Sequence, residues 1–108
     1  MNKRGGRGPG DKGRRDERGF VRRLRDRGFK AERIPLSGAT GGSFAGDVVL
    51  HLQGGVKLTA EVKCRADGFK QIYKWLSGRD LLVIRADRSE PLVVMPLSLA
   101  TQFWEPWQ

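Results

Sequence analysis

Apolar and polar positions alternate most regularly between Gly46 and Cys64. Val48, Leu50 and Leu52 interleave with Asp47, Val49 and His51. Beyond Gln53-Gly54-Gly55, Leu58, Ala60, Val62 and Cys64 interleave with Lys57, Thr59, Glu61 and Lys63. A period of two over each stretch predicts two strands, each with one apolar and one mostly polar side. Directly opposed residues of an antiparallel pair point the same way, so joining the two apolar sides needs an even residue sum, such as Leu50 with Leu58. A two-residue Gly54-Gly55 turn gives an odd sum and puts one apolar set in water. The connection is therefore expected to be three residues, Gln53 to Gly55, or to contain a bulge. In that register Asp47 comes opposite Glu61 as a consequence of packing.

Upstream the period changes. Over residues 14–27, Phe20, Val21 and Leu24 fall on one helical face, Arg residues cover the rest, and Gly28 suits a C-terminal stop. Glu17 shares the inward side of Phe20 and Val21, either as a first-turn carboxylate favoured by the helix dipole or as one aimed into a site. Residues 29–35 read as a short strand. Residues 36–45 form a loop of Gly, Ser, Ala and Thr around Phe44, placed to close over a ligand. No Gly-Lys-Ser/Thr follows it, so it does not match a nucleotide P-loop.

After Cys64, Asp67 is expected to cap a helix whose stripe of Phe69, Ile72, Tyr73 and Leu76 reads as core, with Gly78 as the stop. Residues 80–86 read as a buried strand, 87–90 as a turn and 91–95 as a further strand. Ser98 then caps a short last helix carrying Leu99, Ala100 and Phe103. Trp104 and Trp107 follow where little chain remains to cover them, which suits a subunit interface. His51 reads as a surface residue and Cys64 as a small core residue. Helix, strand, hairpin, helix, strand, strand predicts an α/β fold with a mixed central sheet flanked by helices.

The 108 residues are enough for one modest core, expected over 14–108, behind a flexible basic arm at 1–13. Charge adds direction to this picture. Residues 1–30 hold 12 Lys/Arg and 4 Asp/Glu, a net of +8 of the total +9, and residues 31–108 hold 9 and 8, a net of +1. A one-sided basic patch attracts phosphate backbones or anionic membranes, or serves as a solubilising tail. The basic helix has only a narrow apolar face, which disfavours a membrane surface, and no run is apolar enough to span one. The N-terminus lacks the apolar centre of a signal peptide, so a cytoplasmic location is expected. One cysteine excludes an intrachain disulfide and a Cys-rich zinc site.

Two carboxylates on adjacent strands repel unless a cation or proton lies between them. Oxygen donors select Mg²⁺ or Mn²⁺, and Lys63, on the side of Glu61, would hold or deprotonate an attacking water, giving phosphodiester hydrolysis. The competing reading is a surface salt-bridge ladder of Glu61 and Lys63 with Lys57 and Asp47.

Gly46-Asp47, then Glu61-Val62-Lys63, with Glu17 on a preceding helix, resembles the PD-(D/E)XK nuclease superfamily and its restriction-endonuclease-like sheet. More narrowly, Lys12-Gly13, Glu17-Arg18 and Arg33-Ile34-Pro35-Leu36-Ser37-Gly38 look like the Holliday-junction resolvases of archaea and their phage-encoded relatives. Gly46 stands where that family usually has Pro. The resemblance implies that Asp47, Glu61 and the Val62 carbonyl hold the metal, that Glu17 completes the site through water, and that Lys63 is the catalytic lysine. It further implies that Ser37 lies near the scissile phosphate and that Gln71 matches a polar residue on the next helix. Arg33 and the first-helix Arg14, Arg15, Arg18 and Arg22, with Lys12, would contact the DNA backbone, and Lys70 and Lys74 on the second helix are further candidates. Those resolvases are homodimers that act on branched DNA. Alternatives are a related nuclease acting on flaps or duplex, and a non-catalytic nucleic-acid-binding module.

Overall fold

The structure is a computed structural model that describes residues 9–34 and 47–108, with side chains described from Arg15 to Ile34 and from Val48 onward. The loop at 36–45 with Ser37 and Phe44, Gly46 and residues 1–8 of the expected arm lie outside the described residues. The described residues form two compact units, one from those up to Cys64 with Pro106–Gln108, the other from Arg65–Glu105.

In the first unit, α1 spans Pro9–Asp26. It therefore takes in residues 9–13, which were expected to belong to the arm. Proline at the first helical position accounts for this start, because its fixed φ suits the helix and its missing N–H would be unpaired there anyway. The inner stripe is Glu17, Val21 and Leu24, all buried, while Arg15, Arg18, Arg22, Arg23, Arg25 and Arg27 are exposed. The C-terminus closes with two crossed bonds, Phe29 N–H to the Leu24 carbonyl at 3.0 Å and Gly28 N–H to the Arg25 carbonyl at 2.9 Å. This Schellman arrangement needs a left-handed residue, and Gly28 supplies it at φ 88°. Leu24 and Phe29, the apolar pair that accompanies such a cap, are both buried.

Strands β1 (Lys30–Ile34), β2 (Asp47–His51) and β3 (Lys57–Ala60) make an antiparallel sheet in the order β1-β2-β3. The β2–β3 register pairs Leu50 with Leu58 and Val48 with Ala60. The connection is the three residues Gln53–Gly55 in a 3-10 turn, closed by Leu52 N–H to the Val56 carbonyl at 2.8 Å. Gly54 and Gly55 both take φ 78°, which explains two successive glycines at this point.

Burial is less even than the alternation predicted. Val48, Val49, Leu50 and Leu52 are buried, whereas Leu58 is 37% exposed, Ala60 and Val62 are half-buried and Cys64 is exposed. The cause is position in the sheet: α1 packs mainly on β1 and also touches β2, so central β2 is covered and edge strand β3 is not.

The second unit contains α2 (Lys70–Leu76), β4 (Leu82–Ile84), β5 (Leu92–Val94) and α3 (Leu97–Phe103). Strands β4 and β5 pair antiparallel through Val83 and Val93. Phe69 and Pro96 occupy the N-caps in place of the expected Asp67 and Ser98, and neither cap makes a side-chain bond. Asp67 instead pairs with Lys70 at 2.9 Å, and the Ser98 carbonyl accepts from Thr101 Oγ1. Gly78 follows α2 at φ 76°, as a stop residue should. The expected core stripe on α2 is open: Tyr73 is 73% exposed, and Phe69, Ile72, Tyr73 and Leu76 line a groove with Val94 and Met95. Strand β4 is likewise shorter and more exposed than a buried strand, with Leu81 and Val83 on the surface.

Gly19 inside α1 and Gly28 just past its end should respond oppositely to alanine. At Gly19 an added Cβ meets no described residue within 4 Å, so Gly19→Ala is expected to stabilise by about 0.5–1 kcal/mol. Gly28 is equally uncrowded, but its φ of 88° makes Gly28→Ala cost about 1–2 kcal/mol. Urea unfolding of the two variants checks the sign difference.

Candidate functional site

The β2–β3 ladder ends at the pair Val48 and Ala60, and Asp47 and Glu61 are the next residues on the two chains. On the other side of β2, Asp47 pairs through its backbone with Ile34 of β1. The side chain of Asp47 lies outside the described residues, as do those of Lys12 and Arg14. Glu61, Val62 and Lys63 continue past β3 as irregular backbone, where the expectation had them within the strand. Lys63 Nζ lies 2.9 Å from Glu61 Oε2, with both side chains about half exposed, at 54% and 52%. Of the alternative ladder with Lys57 and Asp47, only this link occurs among the described residues. An exposed pair of this kind contributes at most about 1 kcal/mol. It leaves the ammonium free to move.

Glu17 lies mid-helix because α1 starts at Pro9, so the first-turn dipole reading no longer applies. Its side chain is 1% exposed, and Arg33 Nε donates to its Oε1 at 3.0 Å. Oε2 is buried and has no hydrogen-bond partner among the described residues. Such an oxygen calls for a donor or a cation, since an unsatisfied buried carboxylate oxygen carries its full desolvation cost. Among the described residues no three His, Cys, Asp or Glu side chains converge, and Asp47 stands outside that set.

Beside this pair is an open cleft of about 390 Å³ lined by Arg18, Val21, Arg22, Arg25, Asp26 and Arg33. Four guanidiniums against one carboxylate make it an anion-attracting concavity. Arg18, Arg22 and Arg33 are expected contacts, whereas Arg25 is an addition, with its Nε donating to the Ala31 carbonyl at 3.0 Å. Its signal was present in the spacing, because 18, 22 and 25 follow the i, i+4, i+7 rule of one helix stripe. The pairing of Glu17 with Arg33 had no such signal. Arg15 is exposed on the same helix. Lys70, Gln71 and Lys74 are exposed on α2, in the second unit, with Lys70 paired to Asp67.

The sheet side carrying Lys30, Glu32 and His51 is also paired. His51 Nε2 lies 2.8 Å from Glu32 Oε2, and Lys30 Nζ sits 4.1 Å from the centre of the Trp107 ring, a cation–π contact. Trp107, expected to lack cover, thus has Lys30 on its face, and its neighbour Pro106 bridges to Leu52.

A family model described as archaeal Holliday junction resolvase matches residues 9–102, from the first residue of α1 into α3. That family belongs to the PD-(D/E)XK nuclease superfamily, and the helices and antiparallel sheets of this chain are compatible with its α/β fold, although the expected mixed central sheet is replaced among the described residues by two antiparallel ones. The chain belongs to the archaeal Holliday junction resolvase family. Comparison with curated proteins and with solved structures gave no match.

The bond to His51 holds the Glu32 carboxyl below its ordinary value. A lowered carboxylate pKa adds stability above the unfolded-state value and loses it as pH falls through the folded one. Glu32→Gln should therefore be less stable than wild type near neutral pH, and the gap should close on acidification below about pH 4.5, the ordinary glutamate value. Urea unfolding of both proteins across that range checks this.

Proposed function

We propose that the chain is a Mg²⁺- or Mn²⁺-dependent endonuclease that cuts four-way DNA junctions as a homodimer, in the service of recombination and repair. The observation that carries this reading is the family match across the folded chain. Among the described residues no helix is long and apolar enough to cross a membrane.

The residues fit the expected ion. The orphaned Oε2 of Glu17 is a hard oxygen donor in want of a partner. Asp47, Glu61 and the Val62 carbonyl, with Glu17 through water, would hold the ion, a donor set that suits Mg²⁺ or Mn²⁺. Such an ion supplies Lewis-acid polarisation of the phosphoryl oxygen when bound. Glu61 engages Lys63 through Oε2, with its side chain about half exposed. Lys63 presents its ammonium where negative charge grows on the phosphate and orients the attacking water.

Arg18, Arg22, Arg25 and Arg33 hold backbone phosphate in their cleft, with Lys12, Arg14 and Arg15 extending the basic helix. Lys70 and Lys74 are further contacts, and Ser37 and Gln71 take the catalytic places that the family resemblance implies. Phosphate contacts position the duplex without reading its bases, so recognition rests on junction shape.

Incubation with a four-way junction, a flap and linear duplex, each in Mg²⁺ or EDTA, tests this. Junction nicking only in Mg²⁺ is expected, with Asp47→Asn and Lys63→Ala each lowering the rate at least about 100-fold while junction binding persists. Cleavage of none of the three would leave a binding module, and equal cleavage of all would remove junction selectivity.

A further inference from the structure

Arg33 belongs to two features at once. On one side its Nε donates to buried Glu17 at 3.0 Å, and on the other its side chain lines the arginine cleft with Arg18, Arg22 and Arg25. It is held there by β1, where its backbone pairs with Val48, the residue after Asp47. At 24% exposure against 1% for Glu17, it stands between the interior and the surface.

A guanidinium carries five N–H donors in a fixed fork, and the bond to Glu17 uses only the one on Nε. The carboxylate is likewise half used, because Oε2 has no partner among the described residues. A pair that served stability alone would gain from satisfying both oxygens, since a buried charge repays its desolvation only when its remaining lone pairs are bonded. One oxygen held and one left open is instead the arrangement of an oriented ligand.

We infer that Arg33 is a positioning residue: it fixes Glu17 through Nε so that Oε2 faces the divalent ion or its water, and a DNA phosphate in the arginine cleft engages the same guanidinium. Substrate occupancy and readiness of the metal site are thereby coupled through one side chain. This rests on the metal-dependent nuclease reading above. By linkage, a junction that tightens the hold on Glu17 also tightens binding of the ion, and the ion tightens binding of the junction.

The test is a Mn²⁺ titration, followed by the resonance of the free ion, on wild type, Arg33→Gln, Arg33→Lys, Glu17→Gln and the double variant Glu17→Gln/Arg33→Gln. It is run without DNA and with a junction whose phosphates near the branch point are replaced by methylene phosphonates, in which carbon stands for the leaving oxygen and hydrolysis is blocked. Partners that orient a metal ligand typically change affinity by about 10–100-fold, so Arg33→Gln should weaken Mn²⁺ binding roughly 10-fold. It should add nothing in the Glu17→Gln background, the mark of two residues acting as one unit. The junction should tighten Mn²⁺ binding to wild type and have no such effect on Arg33→Gln. In turnover, Arg33→Gln should lower kcat as well as raise KM. Arg33→Lys keeps the charge without the fork, so it should recover much of KM while leaving Mn²⁺ binding weak, and it serves if Arg33→Gln does not fold. Unchanged Mn²⁺ affinity in both Arg33 variants, with only KM raised, would overturn the inference and leave Arg33 a plain phosphate contact. A wild type that binds no Mn²⁺ would overturn the metal-dependent reading as well.

Discussion

The register of the β2–β3 hairpin is the constraint on which the site depends. A slip of one residue would move every side chain of one strand to the opposite side of the sheet. Two glycines at φ 78° allow the chain to reverse over three residues, and that odd loop brings Leu50 against Leu58 and Val48 against Ala60. Asp47 and Glu61 then emerge together where the ladder stops. The hydrophobic demand of a small core thus sets the backbone positions of two acidic residues, without any attraction between them.

Helix α1 brings the opposite charge. Its exposed arginines form one wall of a cleft and its buried stripe meets β1 and β2, so the same helix joins the core and presents positive charge at the surface. Glu17 is the exception on the inner stripe. Burying a carboxylate is tolerable there because Arg33 of β1 reaches it, while Oε2 keeps an unmet desolvation cost among the described residues.

Much of the first unit was legible in the chain. Period-two alternation located β2 and β3, parity chose their register, and Gly28 marked the end of α1 as the left-handed residue of its cap. The second unit was less so. Its helix stripe and strands were identified by type, yet Tyr73, Leu81 and Val83 are exposed, because periodicity says which side of an element is apolar and not what will cover it. Caps misled for a related reason: Asp67 and Ser98 suit an N-cap by residue type, but the backbone turned at Phe69 and Pro96 instead.

What the sequence determined by itself was local: element types, the odd hairpin loop, the concentration of positive charge before residue 31, and an Asp47, Glu61 and Lys63 pattern that resembles the PD-(D/E)XK motif. Each follows from neighbours a few residues apart, where spacing and backbone preference suffice. Only the tertiary structure decided that Glu17 is buried, that Arg33 sixteen residues away holds it, and that edge strand β3 stays open. Those outcomes depend on how a helix sits on a sheet, and spacing along the chain carries no record of that.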